Sequence, residues 1–335
     1  RGRLAVILGE PGIGKSRLLS EFQTATTEAV GAAGTVTWIE GRCVGYGKSI
    51  PYHLVFDVVR AMLGLPRAET DVVPRTMLDE RLRALLGDDA TDVGPYFAHL
   101  LGMTLSAEET DRVQVDPEVL QGRYVASISR VIRAFSDKGP VVLVCEDVHW
   151  ADPASVDVML VLLPLLRPLP VLQLFIGRAE TDVPGWRMVT QPRAAFGEAL
   201  TEIRLQPLSE DDSRELVSNL LEIESLPESV RQRILKRSEG NPFFVEEVIR
   251  MLVGRGAIVR SGDRWMANET ITAVEIPETL HGLLLARIDQ LPDSAKRSLR
   301  VASVIGRQFP VRVLERVLRT TTMTTAAPET GARPS

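Results

Sequence analysis

The sequence predicts an α/β protein whose core is a parallel sheet of five strands covered by helices. Short apolar runs typical of buried strands recur up to Leu205 and alternate with helical patterns. The first run leads directly into a glycine-rich loop and then into a helical pattern. From Ser209 onward the strand-like runs give way to helical ones. The expected strands are residues 4–8, 36–39, 141–145, 171–176 and 203–205.

The first glycine-rich loop has the spacing of a phosphate-binding loop. Its residues in order are Gly9, Glu10, Pro11, Gly12, Ile13, Gly14, Lys15, Ser16 and Arg17, which fit G-x-x-x-x-G-K-S. Glycines allow the backbone to turn tightly and to approach a bulky anion. The helix that follows directs its free N–H groups at the same anion. We therefore expect the loop to cradle the phosphates of ATP or ADP, with Lys15 at the terminal phosphates.

A second GKS triplet, which contains Lys48, lacks this spacing. The position five residues before Gly47 is Arg42 rather than glycine, and Pro51 pushes Ile50 toward an extended conformation, so no helix begins directly behind the lysine. We predict that this stretch is a loop that does not bind phosphate.

An acidic pair follows the strand-like run at residues 141–145. Glu146 and Asp147 are thereby predicted to lie at the carboxyl end of a parallel strand, where α/β sheets bind ligands. Ser16 and a carboxylate would hold Mg²⁺, and the other carboxylate would orient the attacking water. Which of Glu146 and Asp147 serves the metal stays open. Because the chain offers a metal ligand and a water-orienting carboxylate but no obvious arginine supplied from a partner, the sequence predicts a slow, Mg²⁺-dependent ATPase.

Other residues near the predicted strand ends have two interpretations each. Arg178 follows the next strand and either senses the γ-phosphate or caps a surface loop. His149 beside Trp150 is typical of packing. In EGNPFFVEE, Gly240, Asn241 and Pro242 are typical of a turn that opens a helix, with Asn241 as the cap.

The remaining regions are mostly helical. A helical insertion is expected at about 52–118, interrupted at Pro74, Gly87, Gly94 and Gly102. After Ser209, which is expected to cap a helix, we predict helices at 227–237, 243–253, 279–290, 294–305 and 311–318. A hairpin is predicted to turn at Ser261, Gly262 and Asp263. The tail, 320–335, has little apolar mass and is predicted to be disordered.

Composition is that of an ordinary globular protein, with 335 residues, 44% of them apolar and 25% charged. The net charge is −5, yet residues 291–319 carry seven basic against two acidic residues, so the rest carries −10. Lys296 with Arg300, and Arg312 with Arg316, would each share a helix face, which is either a DNA-binding surface or a solvated one. We favour the solvated interpretation.

Cysteine use and hydropathy predict a reduced, cytoplasmic protein with no membrane partner. Cys43 and Cys145 show no metal or redox spacing. The apolar run at 156–176 contains Asp157, Arg167 and three prolines, so helix followed by strand explains it better than a membrane span. The chain shows no signal peptide and begins on Arg1 just before a core strand, which predicts a piece of a longer protein.

These motifs resemble the nucleotide-binding module of the signal-transduction ATPases with numerous domains (STAND), a branch of the AAA-like P-loop ATPases. The resemblance rests on segments that occur in the family's order: GEPGIGKSRLL, GRCVGYGKSIPY, LVCEDVHWADPAS, LQPLSEDDSREL, EGNPFFVEEVIRML and IPETLHGLLLARIDQLP. It implies phosphate binding by Gly9–Ser16, Arg178 as a first sensor and Gly240–Pro242 as a lid motif touching adenine. The family usually has aspartate where Glu146 stands.

The resemblance also implies a domain order and a setting. The expected domains are a P-loop NTPase core at 1–206, a helical lid at 207–255 and a winged-helix-like domain at 256–319. The GRC segment resembles a bacterial subgroup in which the module lies between a class III adenylate/guanylate cyclase domain and tetratricopeptide repeats, and related modules occur in LuxR-type regulators. This chain carries no cyclase motif, so any cyclase activity would belong to another part of the parent protein. The expected partners are nucleotide and the other domains of that parent chain: a cyclase, repeats or a DNA-binding effector.

Overall fold

The computed structural model describes residues 1–31, 34–66, 73–221, 226–261, 264–289, 291–305 and 311–325. The chain divides into two compact units, and the boundary lies between Pro207 and Leu208. The first unit is built on a parallel sheet, and the second is mostly helical.

The first unit contains the following strands and helices. The strands are β1 (Arg3–Leu8), β2 (Thr37–Arg42), β3 (Val141–Glu146), β4 (Val171–Gly177) and β5 (Leu200–Arg204). The helices are α1 (Lys15–Val30), α2 (His53–Met62), α3 (Arg75–Leu86), α4 (Ala90–Leu100), α5 (Ala107–Val113), α6 (Pro117–Ser136), α7 (Pro153–Leu166), α8 (Arg187–Thr190) and α9 (Pro192–Phe196).

The five strands pair in the order β2-β3-β4-β1-β5, and every pairing is parallel. In register, Leu8 pairs with Gly177 and Arg42 pairs with Glu146, so the strands end at one common edge. The central strands are almost continuously apolar because helices cover both faces of the sheet. The predicted five-stranded parallel sheet is confirmed.

Alternation along the strands divides the core into two faces. Val6 and Leu143 point into a large cluster that includes residues of α2, α6 and α7. Ile7 and Val144 point to the opposite face, where they pack with Leu19 of α1. Helices therefore pack on both faces of the central strands. The polar side chains lie beyond these apolar runs, at the carboxyl ends of the strands.

The second unit contains six helices and a hairpin within its described residues. The helices are α10 (Glu210–Leu221), α11 (Glu228–Ser238), α12 (Pro242–Gly254), α13 (Leu280–Asp289), α14 (Asp293–Ile305) and α15 (Val311–Thr325). The strands β6 (Ile258–Ser261) and β7 (Arg264–Ala267) pair antiparallel, so the predicted hairpin is confirmed. Of its predicted turn residues, Gly262 and Asp263 lie outside the described residues. The core of the second unit contains Val230, Ile234, Phe244, Val248 and Leu252.

Several boundaries differ from the sequence prediction. Strand β2 extends to Arg42 because its pairing with β3 continues to Glu146. Gly94 does not interrupt α4, although Pro95 follows it inside the helix. Pro95 cannot donate to the Thr91 carbonyl, but Arg112 Nη1 donates to that oxygen at 3.4 Å, which replaces the missing bond.

The predicted disordered tail is also corrected in part. Helix α15 runs to Thr325, so residues 320–325 are helical, and Thr320 Oγ1 donates to the Arg316 carbonyl at 2.9 Å. The remainder of the tail lies outside the described residues.

The apolar run at 156–176 forms α7 followed by β4, as predicted. No helix in the described ranges combines the length and apolarity that a membrane span requires.

Candidate nucleotide-binding site

The glycine loop connects β1 directly to α1. Gly12 and Gly14 have φ angles of 80° and 107°, a region that favours glycine, and Gly14 is the cap residue of α1. A Cβ on Gly9 would lie 2.7 Å from Cγ2 of Ile13, so the loop closes only around a glycine. Gly9 N also donates to the Gly177 carbonyl at 3.2 Å, which ties the loop to β4. The backbone thus forms a cradle in front of the N-terminus of α1, where free N–H groups suit a phosphate.

Lys15 reaches back over this cradle. Its Nζ donates to the carbonyls of Gly9 at 2.7 Å and Glu10 at 2.9 Å. Burial lowers the pKa of Lys15, the negative charge of Asp147 opposes this, and the positive charge of Arg178 adds to it. The pKa of Lys15 is therefore influenced by charged residues at the ends of β3 and β4. Arg17 instead pairs with Glu21 on the exposed face of α1, at 2.7 Å.

The sheet order explains why these groups are close. The strands β2, β3, β4 and β1 are consecutive neighbours in the sheet. Arg42 and the acidic pair lie at the ends of β2 and β3, and Arg178 and the glycine loop follow β4 and β1. Strands lie about 4.8 Å apart, so the acidic pair and the loop are separated by roughly 10 Å, with Arg178 between them. A nucleotide's terminal phosphates and a metal ion fit within such a separation.

The acidic pair is partly buried and carries a counterion. Arg42 Nη2 lies 3.2 Å from Glu146 Oε2, and its Nε lies 3.4 Å from Asp147 Oδ2. Burial raises the pKa of Glu146, Arg42 opposes that shift, and the nearby charges of Asp147 and Glu40 add to it. Asp147 has a φ of 56°, in the left-handed region that a non-glycine residue seldom adopts. That backbone bend ends the strand direction and begins the turn at residues 148–150.

Arg178 and His149 lie beside the acidic pair. Arg178 Nη1 is 3.5 Å from Glu180 Oε1, and its guanidinium lies over Trp150 at 5.7 Å from the ring centroid. His149 is buried, and neither ring nitrogen has a hydrogen-bond partner among the described residues. Burial lowers the pKa of His149, with Arg178 as the next cause, so its imidazole is neutral at pH 7. Its ring packs on Trp150 with centroids 4.7 Å apart, which agrees with the packing interpretation.

Two residues of this region were missed by the sequence arguments. In the sequence, Arg42 stood out only as the residue that occupies a position where a phosphate-binding loop needs glycine. Its place at the site was not predicted, because β2 was expected to end before it. Asp152 is buried, and its carboxylate accepts hydrogen bonds from the backbone N–H groups of Ser155, Tyr52 and His53. The pattern D-P-x-S was a signal for a helix cap, but no local pattern links Asp152 to residues a hundred positions earlier.

The second GKS triplet forms a 3-10 turn at Gly45–Ser49 rather than a phosphate loop followed by a helix. A Cβ on Gly47 would lie 2.9 Å from His53 Cγ, so this glycine is required by side-chain packing. Helix α2 begins at His53, five residues after Lys48. Lys48 itself is exposed.

The segment Gly240–Pro242 belongs to the second unit. Asn241 caps α12 by accepting from Phe243 N at 3.1 Å and Phe244 N at 3.3 Å, and Pro242 occupies the first helical turn, which confirms the predicted cap geometry. The Gly240 carbonyl accepts from Leu208 N at 2.8 Å. A cavity of about 390 Å³ is lined by Leu208, Glu210, Ser213, Gln232, Leu235, Lys236 and Gly240.

The donor groups present fit ATP with Mg²⁺. Ser16, Glu146 and Asp147 offer oxygen atoms, which Mg²⁺ prefers, and Mg²⁺ is usually held by one or two carboxylates together with substrate phosphates. Among the described residues, no three His, Cys, Asp or Glu side chains form a metal cluster of their own. The donor set therefore suits a metal that is shared with a nucleotide.

The fold and this edge define a P-loop NTPase module of the nucleotide-binding AAA ATPase type. The family described as "AAA ATPase domain" matches residues 1–176, more than half of the chain, and the protein belongs to it. A second family, described as a domain of unknown function, matches residues 209–264.

Curated relatives are much longer than this chain. An uncharacterized protein of Rhizobium meliloti (strain 1021) is 25% identical over 324 residues, which cover 95% of this chain and 29% of that protein. A "Probable disease resistance protein" of Arabidopsis thaliana is 24% identical over 216 residues, covering 58% of this chain and 24% of that protein. The chain thus spans less than a third of these relatives.

Solved structures with a distant likeness include two proteins of Aeropyrum pernix. The ORC1 protein in complex with DNA gives a TM-score of 0.45 at 15% identity, over 98% of this chain and 73% of that one. The ORC2 protein with ADPNP and ADP gives 0.45 at 12% identity, over 97% and 75%.

Proposed function

We propose that this chain is the ATP-binding, slowly hydrolysing regulatory switch of a multidomain signalling protein. One observation carries the proposal: the glycine loop, the acidic pair and Arg178 follow neighbouring strands at a single edge, where the charges of Asp147 and Arg178 both act on Lys15. A site with this arrangement can bind a polyphosphate and place a carboxylate near its terminal phosphate.

Each residue has a role in this proposal. Backbone N–H groups of the loop and of the first turn of α1 hold the phosphates, and Lys15 leaves the Gly9 and Glu10 carbonyls to pair with them. Ser16 and the acidic pair would hold Mg²⁺, which when bound neutralises phosphate charge. The carboxylate not engaged with the metal orients water, and Arg178 senses the γ-phosphate. The family resemblance assigns Gly240–Pro242 to adenine, and this assignment stays a prediction.

The two lysines of the GKS triplets provide the first test. Lys15→Ala removes the cation of the glycine loop, so we expect the affinity for ATP to fall by at least about a hundredfold, which corresponds to about 2.7 kcal/mol. Lys48→Ala is the matched control and should leave the affinity unchanged. The measurement is titration with a fluorescent ATP analogue. Equal affinities in the two variants would refute the assignment of the phosphate site.

A second test separates the acidic residues. Glu146→Gln and Asp147→Asn keep side-chain size while each removes a charge. Loss of the Mg²⁺ effect on nucleotide binding identifies the metal ligand, whereas retained binding with a turnover reduced about a hundredfold or more identifies the water-orienting group. Single-turnover hydrolysis and nucleotide titration measure both quantities. Unchanged turnover in both variants would contradict the strand-end assignment.

The alternative function is a DNA-binding, ATP-dependent transcription regulator or origin-type loader that uses the basic winged-helix-like region. Helices α14 and α15 expose Arg300, Arg312 and Arg316, which could contact phosphates. We favour the switch because solvated helix faces commonly carry such residues. DNA titration at two salt concentrations decides the matter: tight binding that weakens steeply with salt and is lost in Arg312→Glu/Arg316→Glu would replace the switch proposal with the alternative.

A further inference from the structure

Arg42 is held beside the acidic pair both by its backbone and by its guanidinium group. At the backbone, its N–H donates to Asp57 Oδ2 of α2 at 2.8 Å, and the next residue's N–H donates to the Glu146 carbonyl at 2.9 Å. At the tip, the guanidinium lies 3.2 Å from a Glu146 oxygen and 3.4 Å from an Asp147 oxygen. The position of Arg42 is thus fixed by strand register and by a second element, even though its side chain is 44% exposed.

One cation serves two adjacent carboxylates in this arrangement. Two like charges on neighbouring residues repel each other, and the repulsion grows as water is excluded. Arg42 offsets this repulsion through two different nitrogen atoms, one for each carboxylate. The guanidinium fork is suited to such a shared contact, whereas a lysine ammonium is a single point charge.

The same oxygens are the ones that a metal ion would need. A divalent cation bound to Glu146 or Asp147 would lie within a few ångströms of the guanidinium, where the two positive charges repel. Either the guanidinium withdraws or the metal binds more weakly. Because the side chain is partly exposed, it has room to withdraw toward solvent.

We propose that Arg42 is a built-in counterion that Mg²⁺ must displace from Glu146 and Asp147, so that Arg42 sets the Mg²⁺ concentration at which Mg²⁺ and nucleotide bind together. The inference rests on the proposed nucleotide site, because it assigns the acidic pair to the metal. It makes Arg42 a positioning residue of that site, one that acts through the carboxylates. The opposite role, in which Arg42 orients the carboxylates for the metal and so strengthens its binding, predicts the reverse effect.

The experiment compares variants of the full chain by their need for Mg²⁺. Binding of a fluorescent, non-hydrolysable ATP analogue is titrated over a range of Mg²⁺ concentrations and also in the presence of EDTA. Arg42→Gln removes the counterion, so the half-saturating Mg²⁺ concentration should fall by roughly tenfold relative to the unaltered chain. Arg42→Lys should give an intermediate value. Arg187→Gln is the matched control, since Arg187 is equally exposed and pairs with Asp157 at 2.7 Å, and it should give no shift.

The outcomes separate this inference from the proposed function. If the unaltered chain needs Mg²⁺ but Arg42→Gln has an unchanged or raised half-saturating concentration, the counterion role is overturned and the nucleotide site stands. If Mg²⁺ has no effect on nucleotide binding in any form, the metal site itself is wrong, and this inference falls with it. A loss of nucleotide affinity in EDTA that is specific to Arg42→Gln would show a structural role and would also overturn it.

Discussion

Asp152 shows how one residue can organise the surroundings of the site. Its Oδ1 accepts from Tyr52 N and Ser155 N, each at 2.9 Å, and its Oδ2 accepts from His53 N at 3.1 Å. A single buried carboxylate therefore caps the N-termini of both α2 and α7, where the positive ends of the helix dipoles favour a negative charge. It also fixes Tyr52, whose φ of 62° is unusual for a residue with a side chain.

We predict that Asp152→Asn lowers the free energy of unfolding by about 1–3 kcal/mol, because an amide offers a single acceptor oxygen to three N–H donors. Urea denaturation followed by circular dichroism measures the change. Asp157→Asn is the control, since Asp157 lies on the same helix but forms an exposed pair with Arg187, and it should cost less than about 0.5 kcal/mol. Equal effects of the two substitutions would mean that the double cap adds little.

For individual residues, the sequence indicated a phosphate loop because the spacing of Gly9, Gly14 and Lys15 follows from local backbone geometry. The placement of Arg42 could not be predicted in the same way. Its contact with Glu146 depends on which strand β2 pairs with and in what register, and both are decided by packing across the sheet. Local patterns contain no information on a partner 104 positions away.

Among the elements, α5 depends on an ion pair that links it to α3. Ser106 and Glu109 form a reciprocal capping box at the start of α5, and Arg75 of α3 donates to both Glu109 oxygens, at 2.5 and 3.3 Å. The hydrogen bond from Arg75 is the largest cause that lowers the pKa of Glu109 from its ordinary value of 4.5. The helical insertion is thus stabilised by an ionised Glu109.

This pair predicts a pH dependence of stability. A carboxyl group whose folded pKa is lowered stabilises the protein fully above its unfolded pKa of about 4.5 and loses that contribution as the pH falls through the folded value. We expect Glu109→Gln to cost about 1–2 kcal/mol at pH 7 and progressively less as the pH falls below 4.5. Urea midpoints across this pH range measure the difference.

The control for this prediction is Glu108→Gln. Glu108 pairs with Arg112 at 2.9 Å but is 80% exposed, so its substitution should change the midpoint little at any pH. A cost for Glu109→Gln that stays constant as the pH falls would contradict the electrostatic origin, because the charge of Glu109 would then contribute nothing to stability.

Element boundaries show where sequence arguments succeed and where they stop. Helices α11, α12 and α14 begin or end within a residue or two of prediction, because caps such as Asn241 and Pro242 are local signals. Gly94 was expected to interrupt a helix, yet α4 continues through it and through Pro95, since Arg112 supplies the missing donor from another helix. A propensity argument cannot anticipate a tertiary contact that satisfies a free carbonyl.

For the whole molecule, the sheet order links the fold to the chemistry. Four parallel strands in succession end in Arg42, the acidic pair, Arg178 and the glycine loop, so every charged group of the proposed site lies in the first unit. Gly240–Pro242, which the family resemblance assigns to adenine, lie in the second unit. The switch proposal therefore requires that the second unit respond to the nucleotide bound by the first.

That requirement leads to a prediction about protease sensitivity. With a non-hydrolysable ATP analogue or with ADP, residues 1–207 should be protected to a similar extent, because ligand at a hundred times its dissociation constant adds about 2.7 kcal/mol to stability. Cleavage after basic residues of α11 and α12, such as Lys236 and Arg250, should differ between the two nucleotides. Limited trypsin digestion with mass spectrometry measures both effects. Lys15→Ala is the control, because its nucleotide affinity should be at least about a hundredfold lower and most of the protection should therefore be lost. Identical cleavage of the second unit with ATP analogue and ADP, alongside clear protection of the first, would contradict the switch while leaving nucleotide binding intact.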